Sequence, residues 1–192
     1  MKDKLMMILF VIILGSILTT SLVLVNSFTT PIIEKNIEIK LKSSVLEALE
    51  IPFDIEDVEQ TFANNVKIET KEDTTYYISA NGDYALPYEG AGLWGPITGI
   101  LAMNQDLVNI AGLTIMQQEE TPGLGSRIAE ELYLRMFVGK TFSPQLELVT
   151  PGKGTTSTKI DSIAGATMSS KAFVDLLNAE HSRYRDLLGG SK

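Results

Sequence analysis

Residues Leu5 to Val25 read LMMILFVIILGSILTTSLVLV, an uninterrupted run without a charge. As an α-helix it rises about 30 Å, the thickness of a bilayer's hydrocarbon core. This run divides the chain before any other pattern is read. Residues 1–28 are expected to be a cytoplasmic N-terminus and transmembrane anchor, and residues 29–192 an extracytoplasmic domain. The rival is a cleaved signal peptide, which has a shorter apolar core followed by a small-x-small site. Val25-Asn26-Ser27-Phe28 offers no such site. Lys2 and Lys4 form the cationic flank. By the positive-inside rule the chain crosses the plasma (inner) membrane once, in contact with lipid, with its N-terminus in the cytoplasm.

The body after the anchor is acidic. The whole chain carries a net charge of -8, and Lys2, Asp3 and Lys4 contribute +1, so the remainder carries more negative charge than the total. Such a surface is a poor match for nucleic acid, since phosphate contacts need Lys and Arg. Cysteine is absent and His181 is the single histidine. That removes thiolate metal sites, iron–sulfur clusters and cysteine nucleophiles and argues against a conventional zinc or triad site, so no metal is expected; separately, no proton-transferring residue stands out as catalytic.

Hydrophobic spacing gives the elements. Pro31 to Glu50 is predicted helical, with Pro31 in the first turn and Ile33, Ile37, Leu41, Val45 and Leu49 on one face against the domain. Pro52 ends it, and Asp54 to Gln60 is a loop or short helical turn. Thr74–Ser79 and Tyr84–Tyr88 are strands joined by the hairpin signal Asn81-Gly82. Ile97–Met103 and Val108–Gln117 are strands joined at Asn104-Gln105-Asp106. Ser126 caps a helix over Ile128–Phe137, with Ile128, Leu132 and Met136 sharing a face. Gln145–Val149 is a strand, and Pro151–Thr158 a polar loop. A last amphipathic helix starts near Ser170, carries Phe173, Leu176, Leu177, Tyr184, Leu187 and Leu188, and leaves His181 partly exposed. Gly189 to Lys192 frays. The fold class is α+β: an antiparallel sheet with packed helices, preceded by one N-terminal transmembrane helix.

Three stretches invite a ligand. In Asp161-Ser162-Ile163-Ala164-Gly165-Ala166-Thr167-Met168-Ser169-Ser170, small residues lead to a hydroxyl just before a helix. That is either an ordinary serine-capped turn or a phosphate seat, with free N–H groups and the positive end of the helix dipole. Gly90 to Pro96 surrounds the single tryptophan, Trp94, with glycines. It is either a loop pinned by a buried aromatic or a wall for a planar ligand. Lys153, between glycines, either reaches an anion or stays solvated.

The anchor, the loop Glu120-Thr121-Pro122-Gly123-Leu124-Gly125 and the Gly165-Ala166-Thr167 motif followed by serine together resemble the FMN-binding family of Rnf and Nqr membrane redox complexes. The likeness is to the G component of Rnf and to the C component of the sodium-translocating NADH:quinone reductase. It implies FMN joined by a phosphoester to Thr167, with Asp161, Gly165, Ala166 and Ser169 completing the motif. Ala164 stands where the family usually has Ser or Thr. The resemblance also implies a flavin transferase that takes FMN from FAD with Mg²⁺, and the neighbouring components of the complex, as partners. Leu93, Trp94 and Gly95, with Glu120 to Gly125, are the expected walls of the flavin ring: glycine N–H groups on its carbonyl edges, Leu124 on its face. Lys153 is the candidate to stabilise reduced flavin.

The function expected is electron relay within an ion-translocating oxidoreductase complex, without independent turnover. The short length and the compact Ile160–Ser170 region point to a Rnf-type ferredoxin:NAD complex, while Gly92-Leu93-Trp94-Gly95-Pro96 is closer to the Nqr pattern. An anchored binding or assembly module and an independent flavin reductase are the rival readings.

Overall fold

The structure, a computed structural model, describes residues 2–189; of the terminus expected to fray, Gly190 to Lys192 lie outside the described residues. The chain divides into two compact units, Met1–Ile39 and Lys40–Lys192. Helix α1 spans Lys2–Ala48 without a break. It is long and apolar enough to cross a membrane. Pro31 therefore lies inside a helix and does not begin one. Just before it, hydroxyls fold back on the helix: Ser27 donates to the Leu24 carbonyl at 2.8 Å, Thr29 to Val25 at 3.0 Å and Thr30 to Asn26 at 2.8 Å. Proline costs the helix one N–H donor, and hydroxyl bonds of this kind help the backbone adapt around it. The expected apolar face is correspondingly shorter. Ile33 and Ile37 are exposed, and burial is confined to Ser44, Val45, Leu46 and Ala48. The helix stops at Ala48, before Pro52, with Glu50 at a positive φ.

A 3₁₀ turn at Ile55–Asp57 leads into α2 (Val58–Asn65), a full helix in place of the expected loop or short turn. It forms because Val58 and Phe62, four residues apart, are both buried. Five antiparallel strands follow in sequential order: β1 (Val66–Lys71), β2 (Thr74–Ser79), β3 (Tyr84–Ala91), β4 (Pro96–Met103) and β5 (Ile110–Gln117). The β2–β3 and β4–β5 pairings are those expected. β1 is an addition; it pairs with β2 across Glu72 and Asp73, both at positive φ.

The sheet is covered on both faces. Ile97, Leu101 and Met103 of β4 belong to the main core with Phe173, Leu177 and Tyr184 of the last helix. The alternate residues Ile100 and Ala102 are also fully buried. On that side Phe62 meets Tyr77 edge-on at 5.8 Å, and Thr114 donates to the Ser44 carbonyl at 3.3 Å. Burial on both faces is why β4 reads as a continuous apolar run.

The helix expected over Ile128–Phe137 is interrupted. A 3₁₀ turn (Gly125–Ala129), α3 (Glu131–Leu134) and a second 3₁₀ turn (Arg135–Phe137) replace it. Extended Glu130 makes the break, so Tyr133 and Phe137 point inward, while Leu132 and Met136 are exposed. Ser126 does not cap; its hydroxyl accepts the Gly123 N–H at 3.0 Å. Strands β6 (Glu147–Val149) and β7 (Lys159–Asp161) form a separate parallel pair. Helix α4 (Thr167–Leu188) closes the domain.

Candidate functional site

Helix α4 opens at Thr167 itself, two or three residues earlier than the serine pattern suggests. Gly165, at φ 83°, turns the chain, and the N-cap residue is Ala166, which has no side-chain acceptor. The serines do not cap. Ser170 accepts the Ile163 N–H at 3.1 Å and donates to the Ala166 carbonyl at 3.0 Å. Ser169 donates to Glu120 Oε2 at 2.7 Å. Among the described residues nothing accepts a hydrogen bond from the backbone N–H of Thr167, Met168 or Ser169, and the exposed Thr167 hydroxyl has no partner. A long helix therefore presents its free donors and positive dipole end beside one unengaged hydroxyl.

Leu93, Trp94, Thr121, Leu124, Gly125, Gly165, Ala166, Thr167, Met168 and Ser169 line an open cleft of roughly 440 Å³. Its apolar walls stand in solvent: Trp94 is 71% exposed and Met168 60%, with Leu93 and Leu124 also exposed. Trp94 is thus no buried pin. The Gly165 turn lies against Leu124, whose Cδ2 would be 3.7 Å from a Cβ placed there. Met168 is a wall that the sequence pattern does not single out; its only signal is adjacency to Thr167.

Glu120 lies beneath these walls and is 4% exposed. Its Oε1 accepts the N–H of Leu93 at 2.6 Å and of Trp94 at 3.3 Å, and its Oε2 accepts the Ser169 hydroxyl. Its own N–H goes to Gln118 Oε1 at 2.6 Å. Thr121 to Ser126 fold into a tight turn, with Leu124 and Ser126 N–H groups both on the Thr121 carbonyl. Pro122 and Gly123 form its exposed tip, Gly123 at φ 73°. The backbone donors of Leu93, Trp94 and Gly123 are therefore spent inside the protein. Gly92 likewise bonds the Gly95 carbonyl, and Gly95 packs on Glu119. The expected supply of N–H groups to a ring edge from these loops is correspondingly smaller.

Asp161 and Lys153 are not part of this cleft. The Asp161 carboxylate accepts the N–H groups of Lys153 at 2.9 Å and Gly154 at 2.6 Å, holding the 151–154 loop in shape. Lys153 is exposed on that loop. Asp161 borders a second, smaller cleft of roughly 200 Å³ with Arg127, Tyr133 and Ala164. Tyr133 Oη is buried there with no hydrogen-bond partner among the described residues, and burial pushes its pKa up to about 12.

His181 is fully inside, contrary to its expected partial exposure. It is 3% exposed, stacks on Phe142 at 4.0 Å and donates from Nε2 to the Leu107 carbonyl at 2.8 Å. Burial lowers its pKa below the ordinary 6.5.

Residues 92–180 match the family model of the FMN-binding domain. That stretch contains the Trp94 loop, the Glu120 loop and the start of α4. The chain is similar to NqrC, the C component of the Na(+)-translocating NADH-quinone reductase. With the Pseudomonas aeruginosa protein it shares 32% identity over 59% of this chain and 48% of that one. With the Neisseria meningitidis serogroup A protein the identity is 41% over 47% and 37%. The chain spans less than half the length of these curated relatives. The crystal structure of the same component from Parabacteroides distasonis has the same fold, with a TM-score of 0.71 and 22% identity over 83% of this chain and 96% of that one. Shewanella oneidensis NqrC gives 0.69 and 18% over 79% and 97%.

The cleft suits FMN on its own chemistry. Free helix donors match a phosphate, and the exposed Trp94, Leu93, Leu124 and Met168 match an aromatic ring.

Proposed function

We propose that this chain is a membrane-anchored electron carrier whose FMN is joined through its phosphate to Thr167 Oγ1. One observation carries the reading: the unengaged Thr167 hydroxyl lies at the uncapped start of α4, inside the apolar cleft. Residues 1–28 would hold the anchor, with Lys2 and Lys4 cytoplasmic and the domain on the other side. Attachment follows from a flavin transferase acting on FAD. The Thr167 oxygen forms the new P–O bond, the FAD pyrophosphate bond breaks, and the threonine proton leaves with AMP. Bound FMN supplies stepwise electron transfer to neighbouring redox proteins of the complex. The chain's own residues bind and orient: α4 N–H groups neutralise the phosphodiester, while Trp94, Leu93, Leu124 and Met168 shield the ring. Asp161 serves by holding its loop, and Lys153 is free to reach a partner or the flavin.

The named relatives support assembly into a Nqr-type complex. A second reading, a Rnf-type ferredoxin:NAD complex, rests on the compact stretch in which five residues join β7 to α4. Membranes that reduce quinone with NADH support the first, and ferredoxin-linked NAD reduction the second.

The decisive test is mass spectrometry of the full chain made with its transferase. A peptide containing Thr167 gains the mass of one FMN ester. Thr167→Val abolishes the gain and Ser169→Ala keeps it. An unmodified wild-type peptide under these conditions refutes the reading.

A further inference from the structure

We propose that Glu120 is the positioning residue of the flavin site, a buried carboxylate that ties the Trp94 wall to the first turn of α4 and holds negative charge without a cationic partner at the base of the cleft. The inference rests on the reading of the Thr167 cleft as the flavin seat.

The Trp94 loop, the Glu120 loop and α4 are distant in sequence and meet at this one side chain. Leu93 and Trp94 give it their backbone donors from one side, and Ser169 gives its hydroxyl from the other. Oε1 thus fixes one wall of the cleft and Oε2 the helix turn that carries Thr167. The glycines around it have a specific reason. A Cβ at Gly92 would lie 2.5 Å from Glu120 Oε1, and one at Gly125 would lie 2.5 Å from Ser169 Oγ and 2.7 Å from Glu120 Oε2. At either glycine a side chain would have to displace the carboxylate or its hydroxyl partner. The ion pairs formed among the described residues do not include Glu120. Its charge is therefore stabilised by hydrogen bonds alone, and it opposes the addition of electrons to a ring held nearby.

Three substitutions separate reach from charge. Glu120→Gln keeps the reach: its amide oxygen still accepts from Leu93, and its NH₂ donates to a reversed Ser169 hydroxyl. Glu120→Asp keeps the charge but is one methylene too short to span both sides. Glu120→Ala removes both.

The tie is read in the flavin-free full chain by hydrogen exchange of the peptide covering residues 92–96, and by anisotropy of Trp94, the only tryptophan. Glu120→Asp and Glu120→Ala are expected to exchange about tenfold faster at Leu93 and Trp94, as for loss of one buried hydrogen bond, and to lower the anisotropy. Glu120→Gln stays close to wild type. Unchanged exchange in Glu120→Asp overturns the tie, and that variant decides the matter if Glu120→Ala does not fold.

The charge is read in the FMN-loaded chain by spectroelectrochemistry. Glu120→Gln is expected to raise the flavin midpoint potential, and an unchanged potential overturns the electrostatic role. Absence of an adduct on Thr167 in wild type would defeat the reading of the site instead, and leave the exchange experiment as an independent test of the tie.

Discussion

At its start, α4 presents Ser169 to the buried carboxylate of Glu120; about three turns on, the same helix buries His181 against Phe142 and the Leu107 carbonyl. Both ends join a polar side chain to a distant loop. Around Glu120, however, the walls are exposed apolar residues and the helix donors are free. Around His181 the loop folds down, the ring is stacked, and its donor is used. A polar group buried beneath an open apolar cleft fixes the walls of that cleft. One buried beneath a closed loop contributes only to stability. The two ends should therefore respond differently to substitution.

The largest effect expected is the all-or-none loss of the flavin adduct in Thr167→Val, with thermal unfolding of the flavin-free chain unchanged because the exposed hydroxyl makes no hydrogen bond among the described residues. A large loss of stability in that variant would break the comparison at once. His181→Ala should do the opposite. It removes a stacked, hydrogen-bonded ring from the core and should cost about 2–4 kcal/mol in denaturant unfolding, while folded protein still accepts FMN.

The same residue gives a pH dependence. Burial keeps the folded-state pKa of His181 below 6.5. Above pH 6.5 the imidazole is neutral in both states and its contribution is fully present. As pH falls below 6.5 the unfolded chain binds the proton first, so stability declines until the folded-state pKa is passed, by at most about 1.4 kcal/mol per pH unit. Denaturant midpoints measured between pH 7.5 and 5 should fall in wild type, and less steeply in His181→Phe.

Gly125→Ala probes the other end at a smaller scale. The new methyl meets Ser169 Oγ and the Glu120 carboxylate, so about 1–3 kcal/mol of strain is expected. Part of it is relieved by opening the tie, which faster exchange at residues 92–96 would register. A variant as stable as wild type with unchanged exchange would show that the contact is loose.

Much of this is legible in the sequence, for physical reasons that differ by element. β4 and β5 declare themselves because a strand covered on both faces must be apolar throughout. α4 does so because its core face repeats at helical spacing. β1 is illegible: it is an edge strand in which Val66 alone is buried, with Ile68 exposed and Glu69 half-buried, and its turn uses Glu72 and Asp73 in place of glycine. The break at Glu130 follows from packing of Tyr133 and Phe137 and has no local signal. At the site, Thr167 and the Glu120 loop are readable as motifs. The work of Glu120 is not, because its partners lie 27 and 49 residues away. The burial of His181 is equally hidden, because a helical projection does not show that residues 104–109 cover it.

Tyr133→Phe is the smallest effect expected, and it sharpens the comparison by supplying a third buried polar group that has no partner. Tyr133 lines the second cleft, and the nearby Ser170 hydroxyl is already engaged with Ile163 and Ala166. A buried hydroxyl without a hydrogen bond destabilises the fold, and its removal leaves the aromatic packing against Phe137, at 5.4 Å, intact. The variant should be as stable as wild type or more so, by up to about 1 kcal/mol in denaturant unfolding of the full chain, with flavin attachment unchanged. If instead it loses more than that, the hydroxyl has a partner in solution, such as an ordered water, and the second cleft belongs with the two tied ends of α4 as a satisfied polar site.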